Sequence, residues 1–386
     1  MSDFAKPDGQ NRVPLAGRNA SLDGLRGVAV ILTFLVHYCG TYMASFRGAN
    51  PNVVTFAGWP ENFDKVLYWS FRSHHGVYIF FMLSGFLIAK ISLGPNFSYF
   101  QFLQNRIVRI YPAFLLALGI CIALGWAGGL PAPGLRELVL NLLFLNGFPP
   151  ARVNGIVFNN VTWSLFYEMT FYLVLPVVLI VARHLRSPIP PAIVFAGILV
   201  SYGPTYLGFY SEFFLFLFVG AVAGSLPAAQ IKAAAGIVPD AVVLGLYGLV
   251  TGLMALDYLT TSQFVWLFAG LGFLLIAKAI AGNGWLARGL GWRPLAGLGR
   301  ISYSFYLLHS VSLAVLFRLW SHLGVSSFGL AGNALYMGLL GFAGAIILGW
   351  GSFMIAERFY FRRKEIREHS DPAASRNALE IRKAAD

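Results

Sequence analysis

The chain has 386 residues, 57% hydrophobic and 11% charged, with a mean hydropathy of +0.67. No soluble fold of that size needs so much apolar surface, so a polytopic membrane protein is expected. The net charge of +12 lies in short loops and tails, as membrane orientation requires, and no nucleic-acid motif accompanies it. Cys39 and Cys121 both fall in apolar segments, which argues against a disulfide framework and a zinc site.

In chain order, the N-terminal stretch up to Arg26 is polar and carries Pro7, Asp8 and Pro14. It has no short apolar core with a small-residue cleavage site, so no removable signal peptide is expected. Apolar runs then predict membrane helices over 27–44, 76–93, 107–127, 162–182, 191–208, 212–228, 240–258, 263–281, 301–320 and 333–355. Each is long enough, or nearly so, for a ~30 Å hydrocarbon core. The stretch 138–148 is short and broken by Asn141, Asn146 and Gly147. With the N-terminus in the cytoplasm and 138–148 not crossing, the cytoplasmic loops collect Lys90, Arg106, Arg109, Arg183, Arg186, Lys232, Arg288, Arg293 and Arg300. If 138–148 crossed, the later basic loops would flip outside.

The expected fold is therefore all-α: about ten transmembrane helices, both termini cytoplasmic, and a central intramembrane site. Residues 1–22 form a cytoplasmic N-terminal segment, 23–357 the transmembrane domain and 358–386 a charged cytoplasmic tail. Residues 45–75 and 128–161 become large outer loops that could act as a lid or an acceptor groove. Arg47, Arg72, Arg136, Arg152 and Arg318 strain this topology by falling on the outer side. The absence of an internal repeat disfavours an inverted-repeat transporter.

Ionisable residues inside spans are costly and point to function. Arg26 and His37 share the first span with ten residues between them, about 16 Å along the axis. A cation able to grip an anion and a base able to take a proton thus sit on one rigid element. An ordinary topology anchor and a hydrogen-bonded interhelical histidine are the plainer alternatives. His37, His309 and Glu168 have expected depths of about 15, 13 and 9 Å, which lets all three meet between mid-membrane and the outer side. Glu168 is the one carboxylate well inside a predicted span; a structural salt bridge to a histidine is its simpler reading. Arg106 and Arg109, three residues apart, share a helix face. Either they snorkel as anchors, or they join Arg26 in a cytoplasmic pocket for a polyanion, since the guanidinium fork suits phosphate. In the segment Phe80–Leu87, Ser84 and Gly85 suggest close helix packing. Trp163 reads as an interfacial anchor and Ser164 as a capping hydroxyl at the start of the Glu168 helix. His74 and His75 have no spaced third ligand, so no metal site is expected.

Five segments in order resemble the membrane-bound acyltransferase-3 family over roughly residues 20–357: Leu22-Asp23-Gly24-Leu25-Arg26-Gly27 with His37; Phe80-Phe81-Met82-Leu83-Ser84-Gly85-Phe86-Leu87; Arg106-Ile107-Val108-Arg109 with Tyr111-Pro112; Trp163-Ser164-Leu165-Phe166-Tyr167-Glu168; and Ile301 through His309. The family often ends its last span with Glu-Pro, whereas here Arg358-Phe359 follows Glu357. Some members carry a fused outer hydrolase-like domain; this chain shows none and is expected to act alone or with a separate partner.

The resemblance implies an O-acyltransferase of the bacterial inner membrane that moves an acyl group, most often acetyl, from cytoplasmic acyl-CoA to a hydroxyl outside. The acceptor would be a cell-surface polysaccharide or lipid-linked saccharide. Arg26, Arg106 and Arg109 would hold the donor phosphates. His37 would act as general base, with Glu168 orienting it. His309, Tyr303 or Ser304 would bind the oxyanion or position the acceptor, near Trp163 and Ser164. A covalent acyl-histidine is the alternative to direct transfer. The rival function is a proton-coupled transporter or flippase of a polar lipid or glycan, because intramembrane His and Glu also relay protons. A sensor or scaffold is disfavoured because no element of the site is missing.

Overall fold

The computed structural model describes residues 19–72, 75–129, 131–147, 161–202, 211–320 and 329–361. Among the described residues all regular structure is helical. The first helices are α1 (Ala20–Phe46), α2 (Asn62–Arg72), α3 (His75–Ser92), α4 (Tyr99–Ala127) and α5 (Leu135–Leu142). There follow α6 (Trp163–Leu185), α7 (Ile189–Tyr202), α8 (Ser211–Ser225), α9 (Ala228–Ile237) and α10 (Asp240–Ala255). The last five are α11 (Thr261–Ala281), α12 (Gly284–Leu290), α13 (Arg293–Arg300), α14 (Ser302–Leu319) and α15 (Gly329–Ser352), which runs into a π-helical turn, Phe353–Glu357.

Each predicted span falls on a helix, the 191–208 run in its described part. Among the described residues, six helical runs are by length and composition apolar enough to cross a membrane: α1, α2 with α3, α4, α6, α11 and α15 with its extension. Two bent pairs raise the number to eight, α8–α9 at 111° and α13–α14 at 80°. Helices α7 and α10 are apolar but shorter. Among the described residues, two helices of the expected ten are thus shorter than a span. Helix α5, with 8 residues, reaches only about 12 Å and is too short to cross.

Helix α1 starts where Asn19 accepts hydrogen bonds from the N–H groups of Ser21 (2.9 Å) and Leu22 (3.1 Å), satisfying two orphan donors. The Asn19 amide also donates to the Ala279 carbonyl (3.2 Å), tying this end to α11. Helices α12 and α13 wedge against the same end. A Cβ on Gly24 would sit 1.6 Å from the Leu290 carbonyl oxygen, so only glycine permits that approach. Helices α3 and α8 meet just as closely: a Cβ on Gly85 would lie 1.9 Å from the Leu217 carbonyl oxygen. Gly85 therefore does the packing expected of the Ser84–Gly85 pair. Buried Lys278 and Asp240 pair at 2.7 Å, and Asp240 also accepts from the Leu286 N–H (2.9 Å), joining α10, α11 and α12.

The segment between α1 and α2 is pinned by acids. Asp257, in the turn after α10, accepts from the Phe56 N–H (2.7 Å) and the Tyr68 hydroxyl (3.1 Å). Three of the arginines that strained the topology have local partners here, while Arg136 is exposed on α5. Arg47 pairs with Asp64 (2.8 Å) and Glu61 (3.1 Å), Arg72 with Asp257 (3.4 Å), and Arg318 donates to the Gly128 carbonyl (3.5 Å). Arg152 lies outside the described residues, as does His74. The buried His75 ring packs against Phe264 (4.9 Å) and Phe268 (5.0 Å).

Candidate active site

Helix α1 carries Arg26 into a cavity of about 90 Å³ that Arg106 and Arg109 of α4 also line. Helix α6 contributes Ser164, Glu168 and Tyr172 to the same walls, α3 contributes Ser84, and α14 contributes Ser302, Tyr303 and Tyr306. Residues 106 and 109 share the cavity because three residues bring the helix nearly full turn.

The Arg106 guanidinium is buried beside two aromatic rings that meet edge to face, 5.0 Å from the Phe102 ring centre and 5.1 Å from that of Tyr172. Such cation–π contact offsets part of the cost of placing a charge there. Arg109 lies over the Phe361 ring at 5.8 Å and interacts electrostatically with both Glu168 and Glu357. Tyr303 is fixed by its hydroxyl, which donates to the Ile110 carbonyl of α4 (3.1 Å).

His37 occupies a second cavity, of about 290 Å³, with Thr41, Asn52 and Trp163. Val77 lines both cavities, so the two adjoin across one side chain. His37 and His309 meet, their ring centres 5.1 Å apart and their planes at 56°. His309 is fully buried, and its Nδ1 lies 2.7 Å from the Tyr306 carbonyl oxygen. A carbonyl only accepts, so Nδ1 carries the hydrogen and Nε2 keeps a lone pair. Nε2 has no hydrogen-bond partner among the described residues. The Tyr306 hydroxyl donates to the Val161 carbonyl (3.0 Å) and lies 2.8 Å from Ser164 Oγ, which holds the start of α6 against α14.

Two expectations need correction in their geometry. The expected meeting of His37, His309 and Glu168 holds for the histidines; Glu168 faces the arginine cavity and makes no hydrogen bond or ion pair with His37 among the described residues. The helix turn that places Glu168 beside Tyr172 points it toward α4 rather than toward the middle of α1. Ser304 is wholly buried and faces α15, where its Oγ bonds Glu357 Oε1 (2.5 Å) and Ser352 Oγ (3.0 Å). It supports Glu357, while its neighbours Ser302 and Tyr303 face the cavity.

Sequence reasoning missed Tyr172, Tyr306 and Glu357, and read Ser84 as packing. Ser84 lines the cavity, its Oγ 3.4 Å from the Tyr172 hydroxyl. Tyr172 follows Glu168 by four residues and shares its face, a signal available in the chain. Glu357 is buried although it lies beyond the last predicted span, at the end of the π turn Phe353–Glu357, where it accepts from Ser304. Among the described residues no cluster of three His, Cys, Asp or Glu could hold a metal ion.

Residues 19–354 match the family described as an acyltransferase domain. The chain is 31% identical over 319 residues to the exopolysaccharide production protein ExoZ of Rhizobium meliloti, covering 78% of this chain and 94% of that protein. It is 24% identical over 272 residues to the O-acetyltransferase OatA of Staphylococcus aureus, covering 61% of this chain and 45% of that protein. It is also 31% identical over 172 residues to protein 2 in the picA locus of Rhizobium radiobacter, covering 38% of this chain and 75% of that protein. No solved structure matches. A match over most of the chain, on the helices that build both cavities, makes this protein a member of the acyltransferase-3 family of membrane-bound acyltransferases.

Proposed function

We propose that the protein is an O-acetyltransferase that carries an acetyl group from cytoplasmic acetyl-CoA, or another acyl-CoA, across the bacterial inner membrane. The acceptor is a hydroxyl of an extracytoplasmic polysaccharide or lipid-linked saccharide. The observation that carries this reading is the adjacency of the two cavities: three arginines in one, His37 in the other, Val77 between them. The relatives' names, an exopolysaccharide production protein and an O-acetyltransferase, support the acceptor class and the acetyl group.

In this mechanism Arg26, Arg106 and Arg109 bind the donor phosphates, and the thioester reaches toward His37. A ring nitrogen of His37 removes the acceptor hydroxyl proton as the oxygen attacks the thioester carbon. The carbon–sulfur bond then breaks, CoA leaves as the thiolate and takes up the proton, and the ester is formed. Glu168 sets the arginine geometry. His309, with Nδ1 held by the Tyr306 carbonyl, keeps its Nε2 lone pair beside the His37 ring and supports His37 from there. Tyr303 positions the reacting end of the donor, Ser164 supports Tyr306, and Trp163 lines the acceptor side near Asn52. In the proposed topology, with ten spans and both termini cytoplasmic, the arginines lie on the inner side and the Asn52 segment on the outer side. A proton-coupled carrier would use the histidines but leave the three-arginine cavity without a role.

The test incubates purified protein with radiolabelled acetyl-CoA and a cell-envelope glycan extract. Wild type transfers label to glycan, and His37→Ala loses transfer while still binding CoA. Near wild-type turnover in the variant would remove His37 from the chemistry.

A further inference from the structure

A separate cavity of about 850 Å³ lies between α1, α13 and α15. Its floor is apolar, with Ile31, Leu298, Phe342 and Ile346. Its mouth has Arg300 and Arg358. Both arginines are exposed, and neither pairs with a carboxylate among the described residues. Trp292 and Trp350 also line it, and both are exposed, as tryptophans at a membrane interface are.

The dimensions identify the occupant. From Phe342 to Phe353 the apolar wall of α15 runs about 16 Å, close to half of a ~30 Å hydrocarbon core. Arg358 lies a turn or so beyond. Helix α13 meets α14 at 80°, so it lies across the mouth while α14 runs into the bilayer. With α15 crossing the membrane as its length and composition allow, the groove is about one leaflet deep and its two guanidiniums come to headgroup level. An acyl chain suits the floor and a phosphate suits the mouth.

We propose that this groove binds an acidic phospholipid of the surrounding leaflet, its phosphate held by Arg300 and Arg358 and one acyl chain laid along Ile31, Phe342 and Ile346. The polar nucleotide of a CoA donor carries phosphates too, but it does not fit an apolar floor. Phe361, whose ring carries the Arg109 guanidinium, forms part of the wall, so the lipid packs directly behind the arginine cavity. The assignment does not depend on the acyl-transfer reading.

The test uses the purified full chain, delipidated in a neutral detergent, with phosphatidylglycerol or phosphatidylcholine of identical chains. Native mass spectrometry and thermal unfolding are the readouts. Phosphatidylglycerol should be retained and raise the unfolding temperature; phosphatidylcholine should do neither. The Arg300→Gln/Arg358→Gln double variant should bind phosphatidylglycerol about thirtyfold more weakly, as two headgroup-level charges imply. Arg288→Gln, at an exposed arginine of α12, should bind as wild type. Ile346→Trp fills the floor without removing charge and should also displace the lipid, which decides the matter if the double variant does not fold. Equal binding of both lipids, or wild-type affinity in both groove variants, overturns the proposal. So does displacement of phosphatidylglycerol by acetyl-CoA, which would give the groove to the donor's nucleotide.

Discussion

Replacing Arg106 with alanine should weaken donor binding far more than acceptor binding. The guanidinium is buried against the Phe102 and Tyr172 rings, 5.0 and 5.1 Å from their centres, so its position is already restricted before the donor arrives. Little further side-chain freedom is lost when it meets a phosphate, and the bond counts almost fully. A hydrogen bond to a charged group contributes about 1.5–3 kcal/mol. With 1.4 kcal/mol per factor of ten, the CoA dissociation constant should rise roughly ten- to 150-fold. Arg26 and Arg109 still line the cavity, so binding should weaken rather than vanish. Arg106→Lys keeps the charge but loses the planar fork, and should recover only part of the loss. Isothermal titration of CoA into purified protein measures the affinity, and thermal unfolding reports whether the bundle is intact. Unchanged CoA affinity in an Arg106→Ala/Arg109→Ala double variant with a wild-type unfolding temperature would refute the phosphate-clamp role.

Two more predictions follow from the histidine pair and the topology. His309→Gln can still donate to the Tyr306 carbonyl but cannot present an imidazole nitrogen to His37. Its kcat should fall at least about tenfold with donor KM nearly unchanged, and an unaltered kcat would show that His309 only packs. Single cysteines at Asn154 and Arg186, probed in intact cells with a membrane-impermeant maleimide, should label at 154 and not at 186. Cys39 and Cys121 are buried and give little background, and the reverse pattern would mean that 138–148 crosses the membrane.

The helices were legible because lipid demands long apolar runs, and each predicted span lies on one. Arg26, Arg106 and Arg109 were also legible as neighbours, since spacing puts two of them on one helix face, and all three line one cavity. What the chain could not reveal depended on direction rather than depth. Glu168 and His37 sit at compatible depths, yet rotation about the α6 axis turns Glu168 to the arginines. Ser304 and Tyr303 are neighbours, and one faces α15 while the other faces the cavity. Arg47 and Arg72 looked misplaced because their partners are visible only in the fold: Arg47 meets Asp64 where α2 packs back on the end of α1, and Arg72 meets Asp257 in the turn after α10. The 80° bend between α13 and α14, which opens the groove, has no apolar periodicity to announce it.

The central claim is that one chain passes an acyl group from a donor on one side of the membrane to an acceptor on the other. The most direct measurement places purified protein in sealed vesicles of known orientation. Acetyl-CoA labelled in the acetyl group is trapped on the side of the arginine cavity, and a glycan acceptor is supplied only on the side of Asn52. The account predicts labelled glycan outside, dependent on His37, with CoA remaining inside. Transfer only when donor and acceptor share a compartment would contradict it.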